Sequence, residues 1–193
     1  MAKQYTMESL YNVWAKRNPY FETHFQAELI EKFADYGIGA SKSTEAKGKT
    51  FGGGYEMFII AFFIGLYSDC RRAFDENVEK KKFGQPIEYW GNLDSKTGRK
   101  SYPELRKHIF AALIAKTDVD LIALEKGELD ASDVASSLID TMEEYANYGF
   151  YYMTEKLKDN PNSLYRNSGF IDIFLELTQE HEKKDEESEI EDL

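Results

Sequence analysis

Met57 to Tyr67 is an uninterrupted apolar run, MFIIAFFIGLY, with Gly52, Gly53 and Gly54 before it and Arg71 and Arg72 just after. Its length falls short of the ~18 apolar residues that a bilayer crossing needs and suits a buried core helix. Apolar on nearly every side, such a helix must be covered by several neighbours, so the rest of the chain has to supply them. The reading is therefore an all-α domain with six to seven helices around a buried central helix at about Tyr55 to Phe74, with the glycines as its flexible approach. No membrane association is expected.

At 193 residues the chain fits one domain, which can bury roughly 70% of the surface its unfolded form exposes without a disulfide or a metal. The single cysteine, Cys70, cannot form an intramolecular bridge, which suits a reducing compartment. The N-terminus, MAKQYTMESLYNVW, has no charged start, apolar core and cleavage site of a secretory signal, so a cytoplasmic location is expected.

Periodicity and punctuation place the other elements. Thr6 caps a first helix with Leu10, Tyr11 and Trp14 on one face, and Asn18-Pro19 ends it. A second helix from about Tyr20 to Tyr36 would align Phe21, Phe25, Leu29 and Phe33, so residues 1–40 form a helical hairpin. Residues 41–54 read as a flexible loop. Residues 75–101 read as mostly loop, with a small irregular or hairpin insertion. Ser101 caps a helix from about Tyr102 to Ala115 with Pro103 and Glu104 in its first turn. Thr117 or Asp118 caps a short helix ending near Gly127, and Asp130 caps the longest, about Ala131 to Leu157. A last helix carries Leu164, Phe170, Ile171, Phe174, Leu175 and Leu177. The helical domain thus spans 1–178, its core 55–178, and the acidic tail 179–193 is expected to be disordered or a frayed helix extension.

The net charge of −11 argues against nonspecific nucleic-acid binding, which rests on neutralising phosphates. The charge is uneven, however. Arg71, Arg72, Lys80, Lys81, Lys82, Arg99 and Lys100 fall between residues 71 and 100 and are candidates for a phosphate-contacting face, or for a solvated rim paired with the acidic tail. Lys49, Gly53 and Gly54 at the start of the central helix are candidates for anion binding, because unpaired amides and the helix dipole favour negative charge there. The alternative role of the glycines is a sharp turn into the helix. The segment STEAKGKT, Ser43 to Thr50, is not a nucleotide loop: Ser43 replaces the first glycine and no apolar strand precedes it.

Trp90, beside Tyr89, could stack on a sugar or base, or seal the edge of a core. His24, His108 and His181 are scattered without ligand spacing, so no metal, cofactor or catalytic residue is assigned. Acidic neighbours such as Glu143-Glu144 do not face each other on a helix and give no glycosidase pair.

The run EEYANYGFYYMTEKL, Glu143 to Leu157, resembles a pattern of small proteins that accompany bacterial DNA phosphorothioation (Dnd) gene clusters: an acidic residue, EYANGG, then a hydrophobic residue and an exposed helical end. Here Tyr148 stands in place of one of the two glycines. YEMFIIAFFIGLY, RRAFDENVEKKKFGQPIEYWGN and YPELRKHIFAALIAKTDVDLIAL are similar to that family's central helix, connecting segment and next helical pair. The resemblance covers about Thr50 to Leu177. It implies a non-enzymatic accessory role beside other proteins of an assembly for DNA modification or defence. The competing expectation is a small-ligand-binding or carbohydrate-active protein with residues 41–54 as a lid.

Overall fold

The apolar run forms a helix, Gly54–Tyr67, in a computed structural model that describes residues 7–34, 50–92 and 101–191. Around it the chain is mainly helical. In chain order the elements are α1 (Met7–Ala15), β1 (Tyr20–Glu22), α2 (Glu31–Phe33), α3 (Gly54–Tyr67), β2 (Lys80–Lys82), α4 (Glu104–Ala115), α5 (Leu121–Glu125), α6 (Ala131–Asp159) and α7 (Gly169–Glu191). The all-α reading holds, with one two-stranded ribbon added.

The centre is the crossing of α3 and α6. A Cβ on Gly149 would lie 1.9 Å from the Ala61 carbonyl oxygen, and one on Gly65 would lie 2.2 Å from that of Tyr145. Glycine at these two places lets the two backbones touch. On either side of the contact the helices pack through aromatic rings, with Phe58 on Phe150 at 5.9 Å and Phe62 on Tyr145 at 6.1 Å between centroids. α6 begins where expected, with the Asp130 carboxylate accepting from the Ser132 amide at 2.7 Å.

α3 stops at Tyr67 rather than continuing to Phe74. Asp69 takes a left-handed conformation (φ 49), and the amides of Ser68 and Cys70 close onto the carbonyls of Ile64 and Gly65. Aspartate is among the few residues besides glycine that enter that region, and its carboxylate accepts from the distant Lys116 Nζ at 2.6 Å. Arg71 and Arg72 therefore lie beyond the helix, and the Arg72 amide donates to the Glu144 carbonyl at 3.0 Å.

The N-terminal segment departs most from expectation. α1 buries Leu10 and Trp14 as predicted, and Trp14 packs on Phe110 of α4 at 5.4 Å. But Tyr20–Glu22 is a strand, antiparallel to β2 with Phe21 opposite Lys81. Helical geometry starts only afterwards, as a π-helical turn at Gln26–Ile30 leading into α2. Helix, strand and short helix thus replace the expected hairpin of helices. The four residues of the stripe, Phe21, Phe25, Leu29 and Phe33, are nevertheless all buried. Nor is the ribbon a local hairpin within 75–101, since its partner strand comes from the N-terminal segment.

Smaller shifts occur at helix ends. Asp120, rather than Thr117 or Asp118, caps α5, accepting from the amides of Ile122 and Ala123 at 3.0 and 2.9 Å. Ser101 does not cap α4; its hydroxyl donates to the Gly91 carbonyl at 2.9 Å. Leu164 enters the core from a separate 3-10 turn, Ser163–Tyr165. Of the two expectations for the acidic tail, the backbone follows the helical one, with α7 running to Glu191.

Candidate functional site

Three residues of the EYAN run, Glu143, Asn147 and Tyr151, recur every fourth position of α6 and so share one face, which meets β1. Glu22 of β1 is fully buried there. Its Oε2 accepts from the Tyr151 hydroxyl at 2.7 Å, and its Oε1 accepts from the Asp75 amide at 3.0 Å and from Asn147 Nδ2 at 3.2 Å. Asn147 Nδ2 also reaches the carbonyls of Arg72 and Ala73 at 3.4 and 3.2 Å. A buried carboxylate is costly unless its lone pairs are satisfied. These donors satisfy it, and in doing so they tie β1, α6 and the segment after α3 together.

Positive charge lies nearby in the Arg72 guanidinium, 3.4 Å above the Tyr151 ring centroid. His24 Nδ1 is 3.8 Å from Glu22 Oε2. Burial, then the bond to Glu22, pushes the Tyr151 hydroxyl up to about 12, which keeps it a donor. One turn back, Glu143 accepts from the Tyr20 amide at 2.7 Å. Burial raises its carboxyl to about 7 in spite of that bond, and the charge of Asp140 adds to the rise. Asn147 Oδ1 is buried without a hydrogen-bond partner.

Of the candidate cations, Arg71, Arg72 and Lys80 to Lys82 lie along this edge, each already engaged. Arg71 pairs with Glu144 at 3.8 Å and lies over Tyr145. Lys81 bonds to Gln26 Oε1 and lies 5.5 Å from the Phe21 ring centroid, and Lys82 and Lys80 lie over Tyr20 and Phe74. Acidic Asp75, Glu76 and Glu79 stand between the arginines and the lysines in sequence, so the charge there is mixed.

The other predicted positions are elsewhere. Gly53 has extended backbone and precedes α3, which Gly54 opens. The chain's own Glu56 serves that helix start, accepting from the Gly52 amide at 2.8 Å and from the Tyr102 hydroxyl at 2.6 Å. Trp90 is 1% exposed, its indole donating to the Gln85 carbonyl at 2.9 Å and packing on Phe58 at 5.4 Å. It is a core residue, not an open stacking platform. Lys49, Arg99, Lys100 and the capping Thr6 lie outside the described residues, as does most of the proposed 41–54 loop.

One surface feature escaped the sequence reading. Phe63 and Tyr67 of α3 and Ile171, Phe174, Leu175 and Thr178 of α7 line an open apolar groove of about 340 Å³. α7 buries Phe170, Ile173 and Leu177, whereas Ile171 and Leu175 are 62% and 55% exposed. The signal was present in the sequence as an excess: apolar residues at 170, 171, 173, 174, 175 and 177 are more than one buried stripe accommodates.

Among the described residues no three His, Cys, Asp or Glu side chains come together as a metal site, and no helix is long and apolar enough to cross a membrane. The fold and its surface define a mainly helical protein with a buried polar centre and an open apolar groove on its last helix. Comparison with protein-family models, with curated proteins and with solved structures found no match.

Proposed function

We propose that this chain is a cytoplasmic, non-enzymatic accessory protein that works within a larger assembly by presenting the α3–α7 groove to another protein. The observation that carries the reading is the pair Ile171 and Leu175, exposed side by side on a helix whose opposite face is already buried. Fully burying an aliphatic side chain of this size is worth about 1.5–3 kcal/mol, which a partner covering the groove would gain. Contiguous apolar surface of this kind marks interaction sites. The polar centre is consistent with the same reading, because the hydrogen bonds to Glu22 hold three segments together. The resemblance of Glu143 to Leu157 supports placing the assembly in bacterial DNA modification or defence.

The test is affinity capture with the full chain and with the I171E/L175E double variant, alongside a deletion strain challenged with phage. DNA-processing proteins recovered by the native chain and lost with the variant are the expected result. Recovery of none, with unchanged phage sensitivity, overturns the proposal, and the same set recovered by both forms removes the groove from it.

A further inference from the structure

We infer that the groove's occupant is a basic amphipathic helix of another protein, with apolar anchors seated between Phe63, Tyr67, Ile171 and Leu175 and its cations alongside the acidic half of α7. This rests on the docking reading above and specifies the chemistry of the partner. The groove lies between two helices, and a third helix fills such a space by laying an apolar face into it. Beyond Thr178, where the groove ends, α7 remains helical to Glu191. Over residues 179–191 the sequence carries seven acidic residues against two lysines. From Ile171 to Glu191 the helix is roughly 30 Å long, enough to run beside a partner helix of about 20 residues.

An apolar groove on a helix whose sequence turns strongly acidic beyond it selects a partner with the matching order, apolar at one end and basic at the other. Opposite charge gives such a pair both its orientation and a faster encounter. The alternatives fit less well. A second copy would bring a net charge of −11 against −11, and nucleic acid or an anionic lipid surface would face the same repulsion. Lys156 of α6 does not cancel the acidic run, because it is already paired with Glu176.

Fluorescence anisotropy with the full-length chain tests this, using a labelled 18-residue model helix with leucines on one face and lysines elsewhere. Two control probes replace the leucines by alanine or the lysines by glutamate. The basic probe should bind, and each control should bind at least about tenfold more weakly. I171E/L175E should lose about tenfold for the basic probe while keeping native helix content, as both sites are exposed. E182Q/D185N/E186Q/E187Q/E189Q should lose most of the salt dependence of binding.

Equal binding of the alanine probe, or unchanged affinity in I171E/L175E, overturns the inference. So does a concentration-dependent dimer that I171E/L175E disperses, which would assign the groove to a second copy. If native partners are captured through the groove but the basic probe fails, the docking reading stands and the basic chemistry falls. Probe binding to the groove with no partner captured from cells leaves the chemistry standing and removes the assembly role.

Discussion

The Tyr151 hydroxyl donates to the Glu22 carboxylate at 2.7 Å, joining positions 129 residues apart at a site where the acid is fully buried. A long-range polar contact of this kind sets the register of β1 against α6. Hydrogen bonds to a charged group contribute about 1.5–3 kcal/mol, and orphaning a buried carboxylate costs as much. The Tyr151→Phe variant should therefore lose about 2 kcal/mol by urea denaturation, while its packing on Phe25 at 5.0 Å survives. In a Glu22→Gln background the same change should cost about half as much, because the acceptor is then neutral. Equal losses in both backgrounds would mean that the bond carries no charge-dependent energy.

Glu143 makes stability depend on pH. Its folded carboxyl is raised from 4.5 to about 7 by burial, so between these values the folded form holds a proton that the unfolded form has released. Its contribution therefore falls as pH rises through that window and stays unfavourable above it. Glu143→Gln keeps an oxygen for the Tyr20 amide and removes the charge. Relative to the native chain, the variant should gain on the order of 2 kcal/mol at pH 8 and almost nothing at pH 4.5. Parallel denaturant titrations across that range measure the difference, and a pH-independent gap would refute the assignment.

Gly149 tests the helix crossing. A methyl there would fall 1.9 Å from the Ala61 carbonyl oxygen, and backbone cannot rotate away as a side chain can. In an isolated helix, alanine would be favoured over glycine by about 1 kcal/mol, but overpacking costs about 1–3 kcal/mol or more. The clash should win, lowering Tm by several degrees in a thermal melt. A raised Tm would show that α3 and α6 separate at little cost.

Trp90 and Arg71 separate core from rim. Trp90→Ala should cost about 3–5 kcal/mol, as large aromatic truncations in a packed core do. Arg71→Ala should change stability by no more than about 1 kcal/mol, since its pair with Glu144 is partly exposed on both sides. Denaturation followed by circular dichroism reads both. A stable Trp90→Ala would return that residue to the surface role open to it from sequence.

Local pattern made α3 and α6 legible. An apolar run, a capping aspartate at position 130 and a helical period maintained from Val134 to Met153 are encoded within a few turns of the residues they govern. The Glu143–Asn147–Tyr151 face was also contained in the EYAN run as a spacing of four. Its partner was not, because nothing near Glu22 announces that a strand from residues 80–82 will lie beside it. Phe21 fits a helical stripe with Phe25 equally well, so the pattern was ambiguous, and cross-strand pairing decided it.

The amino-acid sequence alone determined that the chain is helical and built around one buried apolar helix, because burial of that run is demanded by its composition wherever it lies. Tertiary structure alone decided which other groups are buried. The same helix hides Ile173 and exposes Ile171 and Leu175, and the chain hides a glutamate at 22 while an arginine at 72 faces solvent. Side-chain chemistry sets the free-energy cost of exposure, but exposure itself depends on which distant segment arrives to cover the group.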